Sequence, residues 1–255
     1  MKRRLIAAIA CRNQGTRLYG KPLQNLDVEN KISILGNIIN CLKTIKCIDD
    51  IVLGISEGFE NEIYKDIADN ENVKYIVGDQ ENVLSRLIEC GKAGQASDIF
   101  RVTSESPFIY FEPIEDLWQQ HKNKELDATF MDNIVDGCGF EIISLQALEE
   151  SNIKGEKKHK SEFCTLFIRE NNQDFKIIRE NPPVDLSRKD LRLTVDNPED
   201  LVVCKTIFHA FKQFAPRIPI LKVIQFLDEN PKLIEMISSF TDSGYSSMYR
   251  WGEDG

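Results

Sequence analysis

Short apolar runs that alternate with stretches of helical spacing constrain this chain of 255 residues more than any other feature. Residues 5–10, Leu-Ile-Ala-Ala-Ile-Ala, have the length and character of a fully buried strand. Ile34, Ile38, Leu42 and Ile45 then recur at helical spacing and predict an amphipathic helix over 32–44. Residues 50–55 predict a second strand, 60–68 a helix and 73–77 a third strand. This is the βαβ pattern, which calls for a parallel sheet with helices on its faces. The alternation continues with a helix over 82–93, a strand over 97–103, a helix over 111–121 and strands over 127–131 and 140–143. A short helix over 144–150 starts at Ser144 as its cap, and residues 151–160 form a polar exposed loop. A helix over 161–169 and a strand over 175–179 follow, then a strand over 191–195 and a helix that opens at Asn197-Pro198 and continues to 214. Pro216 and Pro219 break that helix before two short ones, 220–228 and 232–238. The polar, aromatic tail 241–255 is set apart from a single domain over 1–240, which carries a protruding segment at about 136–170.

The hydrophobic fraction of 42% is enough for a packed core, and no apolar run is long enough for a membrane span. The start, MKRRLIAAIAC, has a basic and apolar flavour, but Arg12 and Arg17 follow at once, so it reads as a core strand and not as an export signal. A net charge of −9 argues against nucleic-acid binding, which needs a basic face. The seven cysteines include no CxxC pair and the three histidines stand apart, which argues against a structural zinc site. Reduced thiols and a cytoplasmic location are the expectation. Cys11 reads as a small buried residue and not as a nucleophile.

The first strand runs into a loop that holds Arg12, Arg17 and Lys21, with Gly15 and Gly20 between them. Glycines let backbone amides turn toward a ligand, and turned amides form anion-binding concavities. Three cations on such a loop match a triphosphate. The position suits this, because open α/β sheets bind ligands beyond the carboxyl ends of their strands. GxxxxGK[ST] is absent, so the cradle is not a Walker A loop.

The stretch RNQGTRLYGKPL resembles the nucleotide-binding signature of the sugar-activating cytidylyltransferases, roughly R-x-x-S/G-x-R-x-x-x-K. That group makes CMP-sialic acid, CMP-Kdo and related activated sugars, and the resemblance is strongest to its spore-coat polysaccharide F-type branch. VGDQENVLSRL, FRVTSESPFI, DGCGFEII and LRLTVDNPEDL match further segments in register, so the resemblance spans about residues 2–211. It implies a three-layer α/β/α protein with a mostly parallel central sheet, the nucleotide-diphospho-sugar transferase (GT-A/Rossmann-like) fold. It also implies transfer from CTP to a sugar, sugar acid or phosphorylated acceptor, a Mg²⁺ cofactor and a homodimer whose contact arm lies around 140–153.

Carried over residue by residue, the resemblance makes Arg12 and Lys21 catalytic. It assigns Ala10, Arg12, Gly15, Thr16, Arg17, Lys21, Asn82, Arg86 and Thr103 to the nucleotide. Asn82 and Arg86 have a plain alternative, in which Asp79 caps the helix and Arg86 lies on its solvated face. Asp136 and Glu141 become candidates for the acceptor, although Asp136-Gly137 also reads as an ordinary turn. Glu105 stands where the family usually has the aspartate of Gly-Asp-x-Pro, and Asp196 ends the strand over 191–195. Both are the candidate metal ligands, and Asp196 also fits as a helix cap before Asn197-Pro198. Arg101 is expected to pair with a buried acid, His159 to be exposed, and Arg192 and Thr194 to point to opposite faces. A glycosyltransferase is the first rival, but Asp127 and Asp132 are too far apart for its D-x-D motif. A non-catalytic nucleotide-binding homologue is the second.

Overall fold

A computed structural model describes residues 3–15 and 17–248, with side chains to Thr241. In chain order its main elements are β1 (Leu5–Cys11), β2 (Asn25–Asp27), β3 (Ile32–Ser33), α1 (Ile34–Lys43), β4 (Asp50–Ser56), α2 (Ile63–Asn70), β5 (Lys74–Gly78), α3 (Val83–Ala93), β6 (Asp98–Arg101), α4 (Ile114–Asn123) and β7 (Ala128–Met131). The second half holds β8 (Glu141–Ser144), α5 (Leu145–Lys154), α6 (Leu166–Glu170), β9 (Ile177–Glu180), α7 (Pro198–Ala210), α8 (Ile220–Glu229) and α9 (Pro231–Met248).

The main sheet has the order β5-β4-β1-β6-β8-β7-β9. The β1–β4, β1–β6, β4–β5 and β7–β9 pairs are parallel, and β8 runs antiparallel to both neighbours. The apolar run at the start of the chain therefore lies mid-sheet, and its alternation decides the layering. Leu5, Ala7, Ile9 and Cys11 join one core with α1, α4, α7 and α8, while Ile6 and Ala8 join a second core with α3 and α5. Successive strand residues face opposite sides, so a strand apolar on both sides needs helices on both. This is the expected three-layer α/β/α arrangement. Among the described residues no helix is long and apolar enough to cross a membrane.

Several helix starts follow from local chemistry. Ser33 accepts from Gly36 N (3.0 Å) to cap α1, and Ser144 accepts from Ala147 N (3.1 Å) to cap α5. At α7 the Asp200 carboxylate accepts from the backbone N–H of Asn197 (2.8 Å) and of Asp196 (3.0 Å). These bonds satisfy amides that the first helical turn leaves without partners.

The structure differs from expectation at four places. Residues 191–195 form no regular strand. They run extended beside irregular backbone, with a single parallel bridge between Asp136 and Arg192 and bonds from Leu193 N to Asp136 O (2.7 Å) and from Val195 N to Glu105 O (3.0 Å). Alternating apolar residues can satisfy a loop neighbour as well as a strand neighbour. The expected contact arm at 140–153 begins with β8, which is buried inside the sheet, so that part presents no surface for a partner. The loop over 151–160 is partly helical, since α5 continues to Lys154 and a 3-10 turn covers Lys157–Lys160. Within that turn His159 is 4% exposed, its Nδ1 accepting from Glu156 N (2.8 Å) and its Nε2 lying 2.8 Å from Glu170 Oε2. Finally, α9 runs through the expected boundary at 241 as far as Met248, and Tyr249 and Trp251 lie outside the described residues.

Candidate functional site

Beyond the carboxyl end of β1 the loop is held by residues whose importance nothing in the sequence signals. Asn13 N donates to Asn61 Oδ1 (2.8 Å), and the Asn13 side chain donates to the Glu60 carbonyl. The Tyr64 hydroxyl donates to Asn13 Oδ1 (2.8 Å) and sits 3.1 Å from the Arg12 carbonyl. The loop closes where Gly20 N donates to the Asn13 carbonyl (2.9 Å). Gly15 is required by space, because a Cβ there would lie 2.3 Å from the Leu18 carbonyl oxygen. Asn13, Asn61 and Tyr64 are polar residues of ordinary surface type, and only the fold buries them together.

The loop forms one wall of a cleft of about 900 Å³. Of the residues the sequence proposes, Ala10, Arg12, Gly15, Arg17, Lys21, Arg86, Thr103, Glu105, Asp136, Glu141 and Asp196 all line it. Asn82 does not; its side chain caps α3 by accepting from Ser85 N (2.9 Å). Thr16 lies outside the described residues.

The centre of the cleft joins the two ends of the sequence. Lys21 Nζ lies 2.5 Å from Asp196 Oδ1, Arg17 approaches the same oxygen at 3.5 Å, and Arg192 holds Oδ2 at 2.7 Å. Burial acts to raise the Asp196 carboxyl, but these cations outweigh it and hold it below its ordinary range. Glu105 is adjacent through the backbone bond from Val195. Its carboxyl is pushed up, by burial first and by the Asp196 charge in addition, against the pull of Lys21. The Ser104 hydroxyl donates to it (3.1 Å). Across the opening, Arg12 is 3.6 Å from Glu162. Arg192, Thr194 and Asp196 all line the cleft, so Arg192 and Thr194 do not point to opposite faces as expected.

The other candidate roles resolve as follows. Arg86 is 1% exposed and not solvated, and its Nη1 donates to the carbonyls of Cys11 (3.2 Å), the last residue of β1, and of Gly54 (3.1 Å) within β4. Glu141 accepts from Arg101 (2.7 Å), Arg169 (2.7 Å) and Thr165 (2.8 Å). Burial acts to raise the Glu141 carboxyl, but the two guanidiniums override it and bring it down to about 2. Asp136 is 4% exposed, and its Oδ2 has no hydrogen-bond partner among the described residues. Burial pushes the Cys11 thiol far up, which leaves it unreactive. Among the described residues no group of three His, Cys, Asp or Glu side chains stands ready to hold a metal ion. A metal here would have two protein carboxylates, Glu105 and Asp196, and would take its other ligands from elsewhere.

The chain is 26% identical over 245 residues to an uncharacterized protein of Methanocaldococcus jannaschii, covering 96% of this chain and 99% of that one. It is 25% identical over 229 residues to the spore coat polysaccharide biosynthesis protein SpsF of Bacillus subtilis, covering 89% and 95%. Its fold is similar to that of a solved cytidylyltransferase from Leptospira borgpetersenii, with a TM-score of 0.79, 22% identity and coverage of 91% and 97%. It is also similar to a CMP-2-keto-3-deoxy-manno-octonic acid synthetase solved with CTP, with a TM-score of 0.61, 12% identity and coverage of 81% and 99%. The family model described as cytidylyltransferase matches residues 6–233. With a cationic loop and two carboxylates meeting in one cleft of this sheet, the chain belongs to the cytidylyltransferase family.

Proposed function

We propose that this protein transfers the cytidylyl group of CTP to an oxygen of a small acceptor used in surface glycan synthesis and releases pyrophosphate. The observation that carries the reading is the meeting of Lys21 and Arg17 with Asp196 in one cleft, Glu105 alongside. Arg12, Arg17 and Lys21 bind the triphosphate and neutralise the charge that builds on the departing pyrophosphate. Each is paired with a protein acid in the ligand-free chain, and Arg12 and Arg17 are about half exposed (46% and 51%), so a polyanion can take them over. Arg86 acts one step back, tying the Cys11 carbonyl, from which the loop departs, to the Gly54 carbonyl of the neighbouring strand. The acceptor oxygen attacks the α-phosphorus in line with the leaving oxygen, and no side chain is needed as a nucleophile.

Glu105 and Asp196 would hold Mg²⁺. Two hard oxygen donors fit that ion, which is commonly bound through one or two carboxylates together with phosphate oxygens. When bound, it supplies charge stabilisation and orients the phosphates. A homodimer and a cytoplasmic location complete the proposal. The test is a matrix of nucleoside triphosphates against candidate acceptors, with Mg²⁺, read by pyrophosphate release. Turnover with CTP above the other nucleotides is expected. CTP binding without pyrophosphate release from any acceptor would instead mark a non-catalytic homologue.

A further inference from the structure

The two oxygens of the Asp196 carboxylate have different kinds of partner. Oδ1 faces the amino-terminal loop, with Lys21 Nζ at 2.5 Å and Arg17 Nη2 at 3.5 Å. Those side chains are 20% and 51% exposed, and on the transferase reading both turn to the triphosphate when it binds. Oδ2 faces Arg192, whose Nη2 donates to it (2.7 Å) and whose side chain is 1% exposed. Arg192 is therefore the partner that stays with Asp196 when the loop cations leave it.

Arg192 is itself held from two further sides. Its Nη1 donates to the Phe240 carbonyl in α9 (2.7 Å), and its Nε lies 3.1 Å from Asp200 Oδ1. Asp200 is equally buried, and its other oxygen accepts from the backbone N–H of Asp196 (3.0 Å) and of Asn197 (2.8 Å). Arg192 and Asp200 thus grip Asp196 at two points, one carboxylate oxygen and its own amide. A guanidinium spans three partners because its donors form a rigid planar fork, whereas lysine offers a single ammonium on a flexible stem.

We infer that Arg192 is a positioning residue for the transfer: it pins Asp196 Oδ2 and so keeps Oδ1 turned toward the loop that receives the triphosphate and its Mg²⁺. The inference rests on the cytidylyl-transfer reading and deepens it, adding a buried residue that acts through Asp196 and not on the nucleotide. Groups that orient a metal-ligating carboxylate contribute about 10- to 10²-fold in metal affinity or activity.

The experiment is a double-mutant cycle on the full chain: wild type, Arg192→Lys, Asp196→Asn and the double variant. Each is titrated calorimetrically with CTP, with Mg²⁺ and in metal-free buffer, and its melting temperature is measured on the same preparation. Arg192→Lys is expected to keep its metal-free CTP affinity, because Arg12, Arg17 and Lys21 are intact. The gain in affinity on adding Mg²⁺ is expected to shrink by about 10- to 10²-fold. In the Asp196→Asn background the same change is expected to cost less than about twofold, since residues that act through one another are not additive. A folded Arg192→Lys with the wild-type Mg²⁺ gain, or an equal loss in both backgrounds, would overturn the inference. So would a fall in metal-free CTP affinity, which would make Arg192 a ligand of the triphosphate itself. Should Arg192→Lys not fold, Asp200→Asn, which removes the charge facing Arg192 and keeps an oxygen for the α7 cap, is carried through the same cycle with the same result expected. Unfolding of both, with Asp196→Asn folded, would mark Arg192 as purely structural and overturn the inference. CTP binding in the wild type without response to Mg²⁺ would refute the metal site and the inference with it, and absence of CTP binding would refute the transferase reading beneath both.

Discussion

Glu141 and Glu105 are carboxylates in one cleft with opposite electrostatics, and they predict opposite responses to mutation. Glu141 is saturated by Arg101, Arg169 and Thr165. Glu141→Gln leaves the buried Arg169 and the partly buried Arg101 short of charge and is expected to destabilise the protein by about 3 kcal/mol in thermal or urea unfolding. Its folded pKa, about 2, lies below the ordinary 4.5, so its contribution is complete above about 4.5 and fades as pH falls toward 2. The stability gap between wild type and variant should therefore shrink over that interval. Glu105 has a raised pKa, so its ionised form opposes folding at neutral pH. Glu105→Gln is expected to raise the melting temperature while it abolishes turnover, the trade common at functional sites. A fall in melting temperature would contradict this. At this scale charge type and spacing in the sequence single out Arg12, Arg17, Lys21 and Asp196, and the structure brings the four into one cleft. The sequence is silent on Asn13, Asn61 and Tyr64, because a polar side chain carries no mark of being buried. For Arg86 it leaves a cleft position and a solvated one both open, and the structure places the side chain buried in the cleft wall.

The elements were legible where a period repeats. β1, α1, β4 and α3 fall close to their expected bounds, because each has a strong apolar alternation or a polar cap, and α5 starts where its Ser144 cap predicts. Residues 191–195 alternate just as clearly and form no strand, because their neighbours are the irregular segments around Glu105 and Asp136. This non-sheet pairing brings Asp136, Glu105 and Asp196 together, and local pattern cannot reveal it. Gly137 is the hinge of the arrangement, with φ 91° and a notional Cβ 2.6 Å from Thr194 N. Gly137→Ala is expected to lower both kcat/KM, by about tenfold or more, and the melting temperature, by several degrees, through the strain of that backbone. Ser33→Ala, which removes the α1 cap at a residue that does not line the cleft, should lose about 1 kcal/mol of stability and leave kcat unchanged.

On the scale of the whole molecule, a chain of net charge −9 places Arg12, Arg17, Lys21, Arg86, Arg101 and Arg192 in one cleft at the mouth of its sheet. CTP affinity should therefore fall as salt rises, since exposed pairs are screened. The core imposes a separate expectation. All seven cysteines are free and all but Cys47 are buried, so a thiol reagent should label at most one site in native protein and seven in urea. Labelling of several sites at native equilibrium would contradict the packing. The central claim is that the amino-terminal loop and the distant acid pair grip one metal-bound triphosphate. Calorimetric titration of CTP, with and without Mg²⁺, into wild type, Lys21→Ala and Asp196→Asn tests it most directly. Mg²⁺-dependent binding is expected in the wild type, weakened by about 10²-fold in each variant, as when one preorganised charge contact is removed. Equal CTP affinity in all three proteins, or binding indifferent to Mg²⁺, would contradict it.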